Sequence, residues 1–200
     1  MKKLLTLLLI LSVATIANAN LIPNNGDFGG ATGFAVATGW TTAWNGGTWA
    51  DTGQNAYKAW GDGAQWGTGG ANVQNIEMYA GTTVGYSIDI LDPSIELMAG
   101  ATASLVLTFI DVSNNNLNGT WGTAYALVAS GALTADTWTT FSGTVAAPLG
   151  TTHMSYQIQF QGTSVLGGGG AIWFDNAVLT PEPMTVALLG LGGLFLRRRK

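Results

Sequence analysis

Cysteine is absent from the 200 residues, so the chain has no disulfide framework, no thiolate zinc site and no cysteine nucleophile. Charge is scarce as well: 9% of residues are charged, seven basic against eleven acidic, for a formal net of −4. That balance argues against nucleic acid as a partner, because phosphate binding needs a basic stripe. The single histidine, His153, would have to serve any Ser-His-Asp triad, and no nucleophile-elbow pattern accompanies it. Phosphate loops, H-E-x-x-H and clustered metal ligands are missing too. What is plentiful is glycine, with 29 residues, and tryptophan, with eight. This composition points to one glycine-rich, aromatic-rich, all-β domain.

Hydrophobic residues make up 47% of the chain, and the longest apolar runs sit at its two ends. Residues 1–19 read as a secretory signal peptide expected to form a signal helix: Lys2 and Lys3, then Leu4 to Ile16, then Ala17-Asn18-Ala19 as a small-residue cleavage site. Asn20 is the expected mature start. At the other end, Pro181-Glu182-Pro183 precedes the apolar run Met184 to Leu196 and the terminal Arg197-Arg198-Arg199-Lys200. A helix over that run would span ~20 Å, short of the ~30 Å hydrocarbon core, and its basic flank would stay cytoplasmic.

The order Pro181-Glu182-Pro183, a Gly/Leu-rich stretch and a closing arginine cluster resembles the PEP-CTERM sorting signal of Gram-negative bacteria. The resemblance implies recognition by an exosortase-type processing enzyme, transient anchoring in the inner membrane through residues 181–200, and delivery to the cell surface or the extracellular polysaccharide matrix. It is an address, and it leaves the work of the cargo domain, residues 20–180, open.

That domain shows no internal repeat and no sustained helical period. Period-two alternation is clear over Val84 to Ile90, Ala103 to Phe109 and Met154 to Phe160, and further strands are expected over Tyr57–Trp60, Val73–Tyr79, Tyr125–Val128, Thr139–Val145 and Ile172–Leu179. About eight strands, each with one apolar face, make an antiparallel β-sandwich, most simply a jelly roll. The opening Asn20-Leu21-Ile22-Pro23-Asn24-Asn25-Gly26-Asp27-Phe28, the Trp40 that follows it, Ala147-Pro148-Leu149-Gly150 and the closing Trp173-Phe174-Asp175-Asn176-Ala177-Val178-Leu179 resemble galactose-binding-like sandwiches, carbohydrate-binding modules above all. The resemblance implies a core role for Trp40, Trp138 and Trp173, and a structural calcium held between the first and last segments. Asp175 matches one acidic position of that site, whereas the other is Gly29 here, with Asp27 one place before Phe28. Calcium takes six to eight oxygens, so Asp27 and Asp175 alone are a thin set.

Two groups of residues suit a glycan. Trp44, Trp49 and Trp66 flank glycines in expected loops, and sugar rings stack apolar C–H faces on aromatic planes while amides bond the hydroxyls. Gln157 and Gln159, with Ser155 and Gln161, share the polar face of one strand, where they can bond a polysaccharide or simply face solvent. Asp51 with Asp62, or Asp89 with Asp92, could pair for glycoside hydrolysis, but turn-capping explains all four. The expectation is a non-catalytic, glycan-binding exported protein, with a structural or adhesive surface protein and a glycoside-active enzyme as the alternatives. Its charge sharpens once the ends are assigned: all eleven acids fall between Asp27 and Glu182, against Lys58 alone, a net of −10 over residues 20–182. Such a domain favours a neutral glycan or a cation-bridged contact.

Overall fold

The computed structural model describes residues 20–22, 28, 39–44, 46–49, 55–60, 68–94, 101–120, 122–129, 131–161 and 170–181. Ten strands follow one another: β1 (Thr42–Trp44), β2 (Gly46–Trp49), β3 (Ala56–Trp60), β4 (Thr68–Glu77), β5 (Thr83–Leu91), β6 (Thr102–Ile110), β7 (Thr123–Ala129), β8 (Thr139–Ala146), β9 (His153–Gln161) and β10 (Ala171–Pro181). They form two five-stranded antiparallel sheets, ordered β1-β4-β9-β6-β7 and β2-β3-β10-β5-β8. The pairing is nested: β6 with β7, β5 with β8, β4 with β9, β3 with β10. One long hairpin is thus rolled over so that β10 also meets β5 and β9 also meets β6, which is the jelly-roll sandwich.

Alternation makes these strands. In β9, Met154, Tyr156, Ile158 and Phe160 are fully buried while Ser155, Gln157 and Gln159 on the other face are half-buried. Each fully buried large apolar side chain contributes roughly 1.5–3 kcal/mol, which fixes the register, since a one-residue slip would turn all four outward. Two stretches depart from expectation. The segments around Trp44 and Trp49, read from sequence as loops, have strand backbones that pair with β4 and β3. The strand expected over Val73–Tyr79 runs from Thr68 to Glu77 instead, with a register shift between Val73 and Ile76 and Asn75 at φ 58°.

The aromatic centre of the core is built from both sheets. Trp40 stacks on Phe28 with ring centroids 4.7 Å apart and meets Tyr156 edge-on at 6.2 Å. Two tyrosines then tie the sheets together in opposite directions. The Tyr57 hydroxyl of β3 donates to the Gly70 carbonyl of β4, and the Tyr156 hydroxyl of β9 donates to the Ser87 carbonyl of β5 at 2.8 Å. Of the tryptophans expected in the core, Trp40 is there. Trp173 is buried in a separate small cluster with Ala56 and Leu91, with Trp138 packed against it, and the Lys58 ammonium lies 5.5 Å from the Trp173 ring.

Burial, and secondarily the Asp89 charge, holds the Tyr156 hydroxyl well above its ordinary value of 10.0. The native state therefore keeps a proton that the unfolded chain releases, so stability is full below about pH 10 and falls as pH rises above it, by up to ~1.4 kcal/mol per pH unit. Urea midpoints measured on both sides of that pH should show this alkaline loss. Tyr156→Phe should reduce it, at a fixed cost of ~1 kcal/mol for the lost bond to Ser87.

Residues 20–22 are clasped to β10. Leu21 N–H donates to the Leu179 carbonyl at 2.6 Å. The Asn20 side-chain oxygen accepts from Ile22 N–H at 3.1 Å and Leu179 N–H at 3.0 Å, and its amide donates to the Ala177 carbonyl at 3.2 Å. This amide fits beside a bulge in β10, where the register with β5 shifts between Asp175 and Val178 and Asn176 takes φ 49°.

Candidate functional site

The strand registers assemble the candidate surface on the outer face of the sheet that holds β9. One row across it reads Trp44, Gly70, Gln159, Ser104, Leu127, and the next reads Thr42, Asn72, Gln157, Val106, Ala124. Gln159 therefore has glycine for its neighbour on β4 and a hydroxyl on β6, and Gln157 has an amide on β4. Ser155 pairs with Thr108 one row further on. Cross-strand partners on one face lie ~4.5–5.5 Å apart, so these amides and hydroxyls form a continuous polar ladder. Charge enters this face of the described residues where Glu77 pairs with His153 at its end.

The ladder has a floor and one wall. Ser104, Val106 and Thr108 are buried although they point away from the main core. Gly122 comes so close to them that a Cβ there would lie 2.3 Å from Thr108 Oγ1 and 3.0 Å from Val106 Cγ1. The segment before β7 is held there by Asn118, whose side-chain oxygen accepts from Phe109 N–H at 3.0 Å and whose amide donates to the Leu107 carbonyl at 2.8 Å. Asn118 thus takes the place of a strand partner for β6 where β7 has not yet begun. No pattern in the sequence marks it, because its partners lie on a neighbouring strand.

The sequence-derived candidates separate as follows. Gln157 and Gln159 lie together on this face, half-buried. Trp44 closes β1 at the register position beside Gly70 and Gln159. Trp49 closes β2 in the other sheet, opposite Ala56, so the backbone does not bring Trp44 and Trp49 onto one sheet. The side chains of Trp44 and Trp49, and all of Trp66, lie outside the described residues.

The carboxylates are otherwise engaged. Asp89 and Asp175 are register partners on β5 and β10. Asp89 accepts from Thr140 Oγ1 at 2.6 Å and from the Asn176 amide at 2.8 Å, and Asp175 Oδ1 accepts from Asn176 N–H at 2.8 Å. Asp175 is 3% exposed. Asp27, its expected partner around calcium, lies outside the described residues, as do Asp51 and Asp62. Among the described residues no group of three or more His, Cys, Asp or Glu could hold a metal ion.

The sequence matches no family profile and no curated protein. Solved structures do match. A module titled Family 16 Carbohydrate Binding Module-2 aligns with 80% of this chain and 99% of its own at 15% identity and a TM-score of 0.52. The CBM22-1 xylan-binding domain of Paenibacillus barcinonensis Xyn10C aligns with 83% of this chain and 96% of its own at 16% identity and a TM-score of 0.51. The domain has the fold of carbohydrate-binding modules. An arabinose-bound α-L-arabinofuranosidase, MgGH51, also aligns, over 84% of this chain but 27% of its own, at 15% identity and a TM-score of 0.54. In that enzyme, then, the carbohydrate-binding-module fold of this chain corresponds to about a quarter of the length.

Proposed function

We propose that the protein is a non-catalytic glycan-binding module, exported by residues 1–19 and sorted by the PEP-CTERM-like tail, residues 181–200, to the cell surface or the extracellular polysaccharide matrix. An exosortase-type enzyme would process Pro181-Glu182-Pro183 and the segment through Arg197, Arg198 and Arg199, after transient anchoring in the inner membrane. Pro181 is the last residue of β10, paired with Val84. Glu182, Pro183 and Arg197 to Arg199 lie outside the described residues. Among the described residues no helix is long and apolar enough to cross a membrane.

The observation that carries the binding half is the uncharged ladder of Asn72, Gln157, Gln159, Ser155 and Ser104 on a sheet face of this fold. Amides donate and accept at once, as hydroxyl-rich chains require, and successive outward side chains on one strand repeat every ~7 Å. The acidity of the domain favours a neutral polysaccharide over an anionic one. The test is retention of the protein on neutral polysaccharides such as xylan and glucan, with and without added calcium. A Gln157→Ala/Gln159→Ala pair should weaken retention about tenfold, from two lost hydrogen-bonding groups of ~0.5–1.5 kcal/mol each. Unchanged retention would remove this face from the binding site. Absence of retention on every polysaccharide would leave the structural matrix role, and calcium dependence would support Asp27 and Asp175 as ligands.

A further inference from the structure

Among the described residues, the large apolar side chains left exposed are Tyr79 at 71%, Val112 at 83% and Leu149 at 92%. Single exposed apolar residues are ordinary. These three, however, stand on three different connections gathered at one end of the sandwich. Tyr79 lies in the β4–β5 turn, Val112 after β6, and Leu149 in the β8–β9 turn. Hydrogen bonds knit the three together: Met78 N–H to the Thr152 carbonyl at 3.2 Å, Gly81 N–H to the Ala147 carbonyl at 2.9 Å, and Thr152 N–H to the Ile110 carbonyl at 2.9 Å. The described turn at the opposite end, residues 131–137, exposes no large apolar side chain.

This is also the end at which β10 finishes. Pro181 pairs with Val84, and the adjacent Thr83 pairs with Ala146, the last residue of β8. Only Glu182 and Pro183 separate Pro181 from Met184, where the apolar run to Leu196 begins. Three residue steps reach no more than about 11 Å even when fully extended. Whatever holds that run must therefore begin within that distance of the end of β10, at the end of the sandwich that carries the three loop tips.

We propose that this end of the sandwich is a lipid-contacting face: while Met184 to Leu196 sits in the bilayer, Tyr79, Val112 and Leu149 rest in its headgroup region. The proposal rests on the membrane anchoring of the tail set out above. Tyrosine, with an apolar ring and a polar tip, suits that layer. Among the described residues the charged and imidazole groups at this end are Glu77, Asp111 and His153, so the contact is apolar and shallow and gains nothing from anionic lipid. Bonds from the Asn115 side chain and backbone and from Ser113 N–H hold the Asp111 carboxyl below its usual range, which keeps it charged at the surface.

Because the chain has no cysteine, single labels are clean. The protein isolated from membranes is reconstituted into vesicles of phosphatidylethanolamine and phosphatidylglycerol, carrying an environment-sensitive fluorophore at Tyr79→Cys, Val112→Cys, Leu149→Cys, the opposite-end control Ala135→Cys, or the tail position Leu194→Cys. Quenchers are placed on lipid headgroups or deep in acyl chains. The expected result is headgroup quenching at positions 79, 112 and 149 severalfold above that at 135, little changed by salt, with acyl-chain quenching at 194. Equal quenching at 149 and 135, with 194 still quenched in the acyl region, would overturn the lipid face and spare the anchor. Loss of quenching at 194 would overturn the anchor, and the lipid face with it.

Discussion

Asn20→Ala is expected to destabilise the domain by about 2–5 kcal/mol, a large part of the ~5–15 kcal/mol that holds a domain of this size together. One side chain makes three of the bonds that close the sandwich, two as acceptor from Ile22 N–H and Leu179 N–H and one as donor to the Ala177 carbonyl. Alanine leaves those two backbone donors without this partner beside side chains that are themselves buried, and each orphaned buried group costs ~1–3 kcal/mol. Asn20→Asp keeps the acceptor oxygen and loses the donation to Ala177, so its deficit should be smaller. Urea midpoints of the three proteins read the order directly. An alanine variant as stable as the parent would mean that water replaces the clasp without loss.

Gly122→Ala carries the second large effect, about 2–5 kcal/mol from two sources. Its φ of +78° lies in the left-handed region, which costs an L-residue ~1–2 kcal/mol. Its new Cβ would also lie 2.3 Å from Thr108 Oγ1 and 2.9 Å from the Leu107 carbonyl oxygen. The hydroxyl can rotate away but the carbonyl belongs to β6 and cannot, so overpacking adds ~1–3 kcal/mol. Gly131 is the matched control, with φ +80° and nothing within 4 Å of the site of its Cβ. Gly131→Ala should show the conformational cost alone. If the two variants unfold at the same denaturant concentration, the close packing of Gly122 on the outer face of β6 contributes nothing.

The strands that could be read from the sequence are those with one buried face. Met154 to Phe160 and Ala103 to Phe109 alternate because the sandwich needs every second side chain. β1 and β2 could not be read that way: they are three and four residues long, and β2 begins Gly46-Gly47, so their position comes from backbone pairing with β4 and β3. Trp173 was legible as buried, but its place on the other side of the sheet from Phe174 depends on Leu91 and Ala56 arriving from β5 and β3. Gln157 and Gln159 were legible as one polar face. The row that sets Gly70 and the backbone of Trp44 beside Gln159 was not, because Trp44 and Gln159 belong to distant segments. The asparagine clasp was hidden for the same reason, since Asn20 and Leu179 are separated by 159 positions.

That separation bears on the order in which the protein can fold. In the nested hairpin the innermost pair, β6 with β7, closes the shortest connection, and each further pair must close a longer loop at a greater entropic cost. The bonds that join Asn20 to Leu179 span 159 positions, and they need nearly the whole domain to be present. A chain that emerges from its amino end therefore cannot complete this sheet until its final strand has followed. The topology keeps the polypeptide unfinished until nearly all of the domain is available to fold.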